Sequence, residues 1–238
     1  PIAIQLGTTA NRENIDTLDP DHIILATGAK RIAPAITGKE QRHVFDGDQL
    51  RGILLGNSPA AIAKLSALQR LLINIGRLSQ LLRNIRLMRF LSKLWMPIRR
   101  EVFIIGGGLV GLELAEFLVE RNRKVIVLEP GPSFGAELSI VRRARVLHLL
   151  GEDGAELHKS VGDLEIGAHM IRFSLDGEVQ ERKCTQVIIA MGAEPDDSLL
   201  KELAGSSARI HQIGDCREVG YIDGAILDAR KLVQQMEL

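Results

Sequence analysis

Apolar runs of strand length alternate along the chain with apolar stripes at helical spacing. Short runs over 2–6, 22–26 (HIILA), 102–105, 124–128 (KVIVL), 187–190 (VIIA) and 210–213 predict strands, and several are closed by glycine. Leu65, Leu68, Leu72 and Ile75, followed by Leu78, Leu82 and Ile85, recur at steps of three and four. They predict two helices across 56–94 packed by this Leu/Ile stripe, with a break or bend at Gly76 and an end at Trp95-Met96-Pro97. Val110, Leu114, Phe117 and Leu118 mark one face of another helix, and 137–150 forms a further amphipathic stretch. A last helix is expected from about Asp223. Asp176-Gly177, set between Ile171, Phe173, Leu175 and Val179, is a two-residue hairpin signal. Strands and helices therefore alternate, which predicts an α/β fold with a parallel sheet covered by helices.

Composition narrows the function. The chain has 238 residues, with 30 basic and 30 acidic side chains, so its formal net charge is zero. An apolar share of 45% and a charged share of 25% exclude a disordered chain. Aromatics are scarce, so the core must be aliphatic. The apolar runs are shorter than the ~20 residues of a membrane span, and no secretion signal opens the chain. Pro1 begins almost inside a strand-like run, which suggests a piece of something longer. Cys184 and Cys216 lie too far apart for a CxxC pair and are too few for a Cys-only zinc or iron–sulfur site. They are expected to be reduced thiols of a cytoplasmic protein. The six histidines show no metal-ligand spacing, so no metal site is expected. Neither a GxSxG elbow nor a phosphate loop of the GxxxxGK[ST] type occurs.

The informative motif is Gly106-Gly107-Gly108-Leu109-Val110-Gly111. GxGxxG alone is weak, but here it follows an apolar strand and opens an amphipathic helix. Glu129 follows the last glycine by 18 residues, at the end of the next strand. That is the context of a dinucleotide fingerprint. Gly106 permits the tight turn, Gly108 lets backbone N–H groups reach a pyrophosphate, and Gly111 lets the helix pack close to the strand. The helix N-terminus favours the phosphates, and Glu129 would accept hydrogen bonds from ribose hydroxyls. A carboxylate there repels a 2′-phosphate, and no Arg or Lys occurs over 130–141 to neutralise one. NADH is thus expected to be preferred over NADPH.

The stretch VFIIGGGLVGLELAEFLVERNRKVIVLE, with HIILATGA, VIIAMGAEP and IHQIGDC, resembles the pyridine-nucleotide–flavin oxidoreductases. The tail IGDCREVGYIDGAILDA and the Leu/Arg-rich insert ending KLWMP are similar to NADH:flavin oxidoreductases of the 2,4-dienoyl-CoA reductase and 2-enoate reductase type. The resemblance implies a Rossmann-like NAD(P)-binding domain nested in a partial FAD-binding domain, with a helical insertion. The expected divisions are 1–49 and 196–238 for the FAD-binding parts, 50–98 for the insertion and 99–195 for the NAD(P)-binding domain. It further implies that Thr27, Gly28, Gly214, Asp215, Gly224 and Ala225 serve FAD, with Gly224 and Ala225 starting a helix aimed at the flavin. Gly192 would lie by the NAD. A preceding barrel domain with FMN and an iron–sulfur cluster would reduce enoyl-CoA or enoate-like substrates, as the chain's own partner, and a homo-oligomer is possible in such a family. Acid–base residues cannot be nominated, since hydride transfer belongs to the cofactors. The family's first FAD glycine turn and its cluster cysteines are absent here, as is its redox-active cysteine pair. The chain by itself is therefore expected to bind NADH, hold FAD weakly and turn over no substrate.

One feature supports a different class of function. Between Asp48 and Glu101 no acidic residue occurs, while ten basic ones fall between Arg51 and Arg100. Such a stretch could make an interaction module for a membrane surface, nucleic acid or an acidic partner. The basic residues are widely spread and no aromatic stacking pattern accompanies them. A helical cover packed on its own enzyme, with no nucleic-acid partner, is the favoured expectation.

Overall fold

Strand runs that are apolar on both faces need cover on both sides, and the computed structural model supplies it. The structure describes residues 2–31, 34–55, 58–78, 92–93 and 95–236. In chain order the elements are α1 (Arg12–Asp16), β1 (His22–Leu25), β2 (Ala29–Arg31), β3 (Val44–Asp46), α2 (Gly47–Leu55), α3 (Pro59–Ala63), α4 (Ala67–Leu78), β4 (Glu101–Ile105), α5 (Leu109–Val119), β5 (Lys124–Glu129), α6 (Ile140–Glu152), β6 (Glu156–Lys159), β7 (Gly162–Ile166), β8 (Met170–Leu175), β9 (Glu178–Lys183), β10 (Val187–Ile189), β11 (Ala193–Pro195), α7 (Ser198–Glu202), β12 (Arg209–Gln212) and α8 (Tyr221–Gln235). They form two compact units, Ala33–Gly192 and the pair of segments Pro1–Ile32 with Ala193–Leu238.

The larger unit is built on a five-stranded parallel sheet of order β3-β10-β4-β5-β6. Its strands alternate between two cores. Val102, Ile104, Val125, Val127 and Ile188 face helices α5 and α6 through Leu112, Ala115, Leu118, Val146 and Leu150. Phe103, Ile105, Ile126, Leu128 and Ile189 face the antiparallel sheet β7-β8-β9 through Ile166, Ile171 and Phe173. Burial on both faces explains why β4, β5 and β10 read as unbroken apolar runs. Each large aliphatic side chain so buried contributes ~1.5–3 kcal/mol. Asp176 and Gly177 join β8 to β9 with φ of +52° and +83°, the paired left-handed conformation of a tight hairpin.

The insertion is helical where it is described. Phe45 of β3 packs with Ile53, Ala61, Leu65 and Ile73, so α2, α3 and α4 cover one edge of the sheet. Three expectations change. Helix α4 runs through Gly76 without a break, since one glycine costs about 1 kcal/mol, too little to end a helix held by tertiary packing. Leu68, Leu72 and Ile75 of the predicted stripe are exposed, and Leu65 and Ile73 are the buried contacts. Residues 2–6 form no strand, because alternation supplies no partner and none pairs with them among the described residues. The second predicted helix of the insertion falls mostly on 79–91 and 94, outside the described residues. On α5 the fully buried face is Gly111, Leu112, Ala115 and Leu118, while Leu114 and Phe117 are partly buried.

In the smaller unit β1 pairs with β12 in parallel and β2 with β11 antiparallel. Ile23, Leu25, Leu203 and Cys216 form its core. The units divide at residue 32 rather than near 49, because β3 completes the parallel sheet beside β10. Among the described residues no helix is long and apolar enough to cross a membrane.

Candidate dinucleotide-binding site

In the large unit's sheet β4 is flanked by its successor β5 on one side and by β10 on the other. A crevice opens beyond the carboxyl ends of parallel strands at such a switch point. Three strand ends meet there. Gly106 follows β4 with φ +107°, and its N–H donates to the Leu128 carbonyl at 2.8 Å. A Cβ on Gly106 would lie 2.9 Å from the Ala190 oxygen and from Met191 Cβ, which follow β10. A Cβ on Gly111 would run into the Gly106 carbonyl oxygen. Only glycine lets α5 start this close to the strand that feeds it. Val110 lies in that first helical turn, and Gly192, with φ +87°, ends the segment after β10.

Glu129 is the last residue of β5. Its Oε2 accepts a hydrogen bond from the Gly107 N–H and its Oε1 one from the Gly131 N–H, both at 2.5 Å. The carboxylate therefore ties the glycine turn to the end of β5. A carboxylate offers about four acceptor sites, so these bonds leave room for two ribose hydroxyls.

Gly108 caps α5 in an extended conformation with no side-chain bond to the helix N-terminus. Instead the Leu109 N–H donates to Glu137 Oε1 at 3.2 Å, and that oxygen lies 2.5 Å from where a Gly108 Cβ would stand. An anion thus already rests where a pyrophosphate is expected. Sequence reasoning missed Glu137, and also Phe134, which packs against Gly107, and Gly135, whose N–H donates to the Gly107 carbonyl at 2.8 Å. The loop PGPSFGAEL that carries them has no periodicity, so only its glycines hinted at a close approach. The glycine turn at the helix N-terminus and the acid at the strand end fit an NAD, whose pyrophosphate would take the place now held by the Glu137 carboxylate.

The smaller unit holds the other nominated residues. Gly28, with φ +79°, follows Thr27, whose Oγ1 donates to the Asp196 carbonyl at 3.2 Å. Asp196 in turn pairs with Lys30 at 2.8 Å and accepts from Ser198, which together pull its carboxyl down to about 2. Gly214 opens a 3-10 turn at φ +66°, and its N–H donates to Oδ2 of the buried Asp228 at 3.1 Å. Asp228 also pairs with Arg217 at 2.6 Å. Sequence reasoning did not find Asp228, which reads there as one more polar helix residue. Asp215 Oδ1 accepts from the Gly220 and Tyr221 N–H groups at 3.0 and 2.9 Å, so it caps α8. Gly224 and Ala225 lie inside α8 rather than at its start, because that cap begins the helix at Tyr221. Ala225 packs on Gly214, where an added Cβ would stand 3.1 Å from its own. The cradle of Gly214 against Ala225, with Asp215 beside it, fits one side of an FAD.

Residues 4–213 match the pyridine nucleotide-disulphide oxidoreductase family, well over half of the chain. The chain belongs to that family. It is 25% identical over 238 residues to an NADH oxidase of Thermoanaerobacter brockii, covering 99% of this chain and 31% of that protein. It is 27% identical over 221 residues to a bilirubin reductase of Mediterraneibacter gnavus (strain CC55_001C), covering 91% of this chain and 28% of that one. Among solved structures its fold is similar to a 2-naphthoyl-CoA reductase in complex with 2-naphthoyl-CoA. That likeness has a TM-score of 0.69 at 23% identity and covers 96% of this chain and 29% of the other. A histamine dehydrogenase from Rhizobium sp. 4-9 gives 0.66 at 13% identity, covering 97% and 31%. The chain thus spans about a third of the length of these relatives.

The family name includes disulphide chemistry, yet the two cysteines of this member are free and buried, one in each unit. Burial pushes the Cys184 thiol up to about 11, against the relief of its bond to the Gln186 carbonyl. That environment is inert rather than reactive.

Proposed function

We propose that this chain is the nicotinamide- and FAD-binding portion of an NADH-dependent flavin oxidoreductase. In this reading electrons pass from NADH through FAD toward a separate barrel domain with FMN and an iron–sulfur cluster, where an enoyl-CoA or enoate-like substrate is reduced. The observation that carries the nicotinamide half is the Glu129 carboxylate fastened to the Gly107 N–H beside a helix N-terminus that already holds a carboxylate, that of Glu137. Support for a larger partner domain comes from relatives about three times as long, among them a bilirubin reductase and a fold neighbour that is a 2-naphthoyl-CoA reductase. The nicotinamide supplies a hydride and the flavin accepts it.

The chain's own residues bind and orient. The backbone of Gly108, Leu109 and Val110 receives the NAD pyrophosphate, Gly107 keeps the turn free of side chains while its N–H holds Glu129, and Glu129 takes the ribose hydroxyls and disfavours a 2′-phosphate. Gly192, in its left-handed conformation after β10, lies by the NAD. Thr27, Gly28, Gly214 and Asp215 serve the FAD, with Ala225 and Gly224 on the adjoining helix. The divisions proposed above assign 50–98 as a helical cover of the NAD domain, in a cytoplasmic enzyme with reduced thiols. Two measurements on the full-length protein test this reading. NADH is expected to bind at least tenfold tighter than NADPH and to bleach the flavin absorption on mixing. Equal binding of the two would overturn the Glu129 assignment, and an unbleached flavin would overturn the relay.

A further inference from the structure

A second cleft lies at the opposite edge of the parallel sheet, and the nicotinamide site does not use it. His43, Arg99 and Gln186 stand just before β3, β4 and β10, at the amino ends of the strands whose carboxyl ends carry the glycine turn. A five-residue strand separates the two edges by about 15 Å. The cleft encloses about 540 Å³, a size that suits a small organic ligand. Three cations line it, Arg42, Lys64 and Arg99, together with His43 and His169. No carboxylate is among its described lining residues.

Most lone cations on a protein surface are answered by water, so the details matter here. Arg42 uses its Nε and Nη2 on the carbonyls of Lys64 and Leu65 at 3.1 and 3.3 Å. Lys64 gives two protons of its ammonium to the Val44 carbonyl and Gln49 Oε1, at 2.7 and 2.9 Å. Both cations are therefore fixed by the fold while each keeps a donor to spare. His43 adds an independent observation, since its Nε2 is buried and has no hydrogen-bond partner among the described residues. Buried polar atoms are nearly always satisfied, and one that is not points to a ligand or an ordered water. Arg42 and Arg99 are exposed and Lys64 is half-buried, and cations gathered at one concave site add their fields on whatever enters it.

We propose that this cleft binds a small organic polyanion, its charge carried on phosphate or carboxylate oxygens. The anion bridges Arg42, Lys64 and Arg99 and accepts a hydrogen bond from His43 Nε2. His43 is held below the ordinary histidine range, first by burial and then by the positive charges of His169 and Lys64. Glu40 and Asp46 act on Lys64 in the opposite sense from outside the cleft, while Arg42, Arg99 and the un-ionised Cys184 complete its titratable groups. An anion that neutralises this field restores the proton affinity of His43. Binding therefore takes up a proton and tightens as pH falls below the ordinary histidine value of 6.5.

The test is calorimetric titration of the full-length protein at low salt, with pyrophosphate in one arm and citrate in the other. Saturable one-to-one binding in either arm supports the proposal, and the arm that binds tighter identifies phosphate or carboxylate as the recognised group. Arg99→Gln is expected to weaken it at least tenfold, and His43→Gln to lessen the tightening at low pH relative to wild type. Both variants should keep the wild-type circular dichroism and the wild-type NADH titration. The proposal is overturned if neither anion saturates, or if both variants bind as tightly as wild type with the same pH dependence.

Discussion

Glu137 Oε1 accepts a hydrogen bond from the Leu109 N–H at 3.2 Å, so a side-chain anion occupies the first turn of α5. The two residues lie 28 positions apart, and the loop after β5 brings them together. This contact must yield to a pyrophosphate, because both need the same N–H. Glu137→Gln removes the charge that competes for the helix end, an interaction worth ~0.3–1 kcal/mol. NADH should then bind about two- to fivefold tighter, read by fluorescence titration. Weaker binding would mean that Glu137 helps to hold the cofactor loop in place.

Glu129 has two tasks that one substitution separates. Its bonds to Gly107 and Gly131 brace the turn, and hydrogen bonds to a charged group contribute ~1.5–3 kcal/mol each. Glu129→Gln keeps the shape but turns an NH2 toward one of the two N–H donors, so thermal stability should fall by about one such bond. The preference for NADH over NADPH should narrow, because the repulsion of a 2′-phosphate is gone. Glu129→Ala should narrow it as well and cost stability in addition. An unchanged cofactor ratio in both variants would remove Glu129 from the ribose site.

Gly111→Ala tests the close approach of helix and strand. Its Cβ would strike the Gly106 carbonyl oxygen, a backbone atom that cannot swing aside. Overpacking of this kind costs ~1–3 kcal/mol. At ~2–4 °C per kcal/mol for a protein of this size, the melting temperature should drop by several degrees. NADH binding should weaken with it, since α5 would be pushed off its place. Gly151→Ala, where an added Cβ meets nothing within 4 Å, is the control expected to melt no lower.

Cys184 should resist thiol reagents. It is buried and its thiol is raised to about 11, so almost none is thiolate at pH 8. Titration with a coloured disulfide reagent should find Cys184 only after denaturation. Rapid labelling of the native protein at that residue would contradict the burial.

His43 makes stability depend on pH. Its folded value lies below the ordinary 6.5, so the unfolded chain binds a proton more readily. The contribution is complete above that value and is lost as pH falls from 6.5 toward the folded one. His43→Gln should flatten this part of the curve of melting temperature against pH. A curve identical to wild type between pH 7 and 5 would show that His43 titrates as it does in water.

The parts of this protein legible in its sequence are those decided by neighbours along the chain. Asp176-Gly177 needs only two left-handed residues between alternating runs to make a hairpin. The strand, glycine turn, helix and closing acid of 102–129 work the same way, since spacing alone puts Glu129 at the end of β5. Burial on both faces wrote itself into β4, β5 and β10 as continuous apolar runs. Tertiary structure decided what depends on distant segments meeting. β3 left the nominated FAD segment for the parallel sheet because β10 offered it an open edge. Glu137 reached Leu109, and Asp228 reached Gly214, through folding that no periodicity encodes. Arg42, Lys64, Arg99 and His169 read singly as ordinary polar residues, and only the amino edge of the sheet gathers them around His43. Local conformation is set by short-range sterics and hydrogen bonds, whereas such gatherings are set by which faces must be buried together.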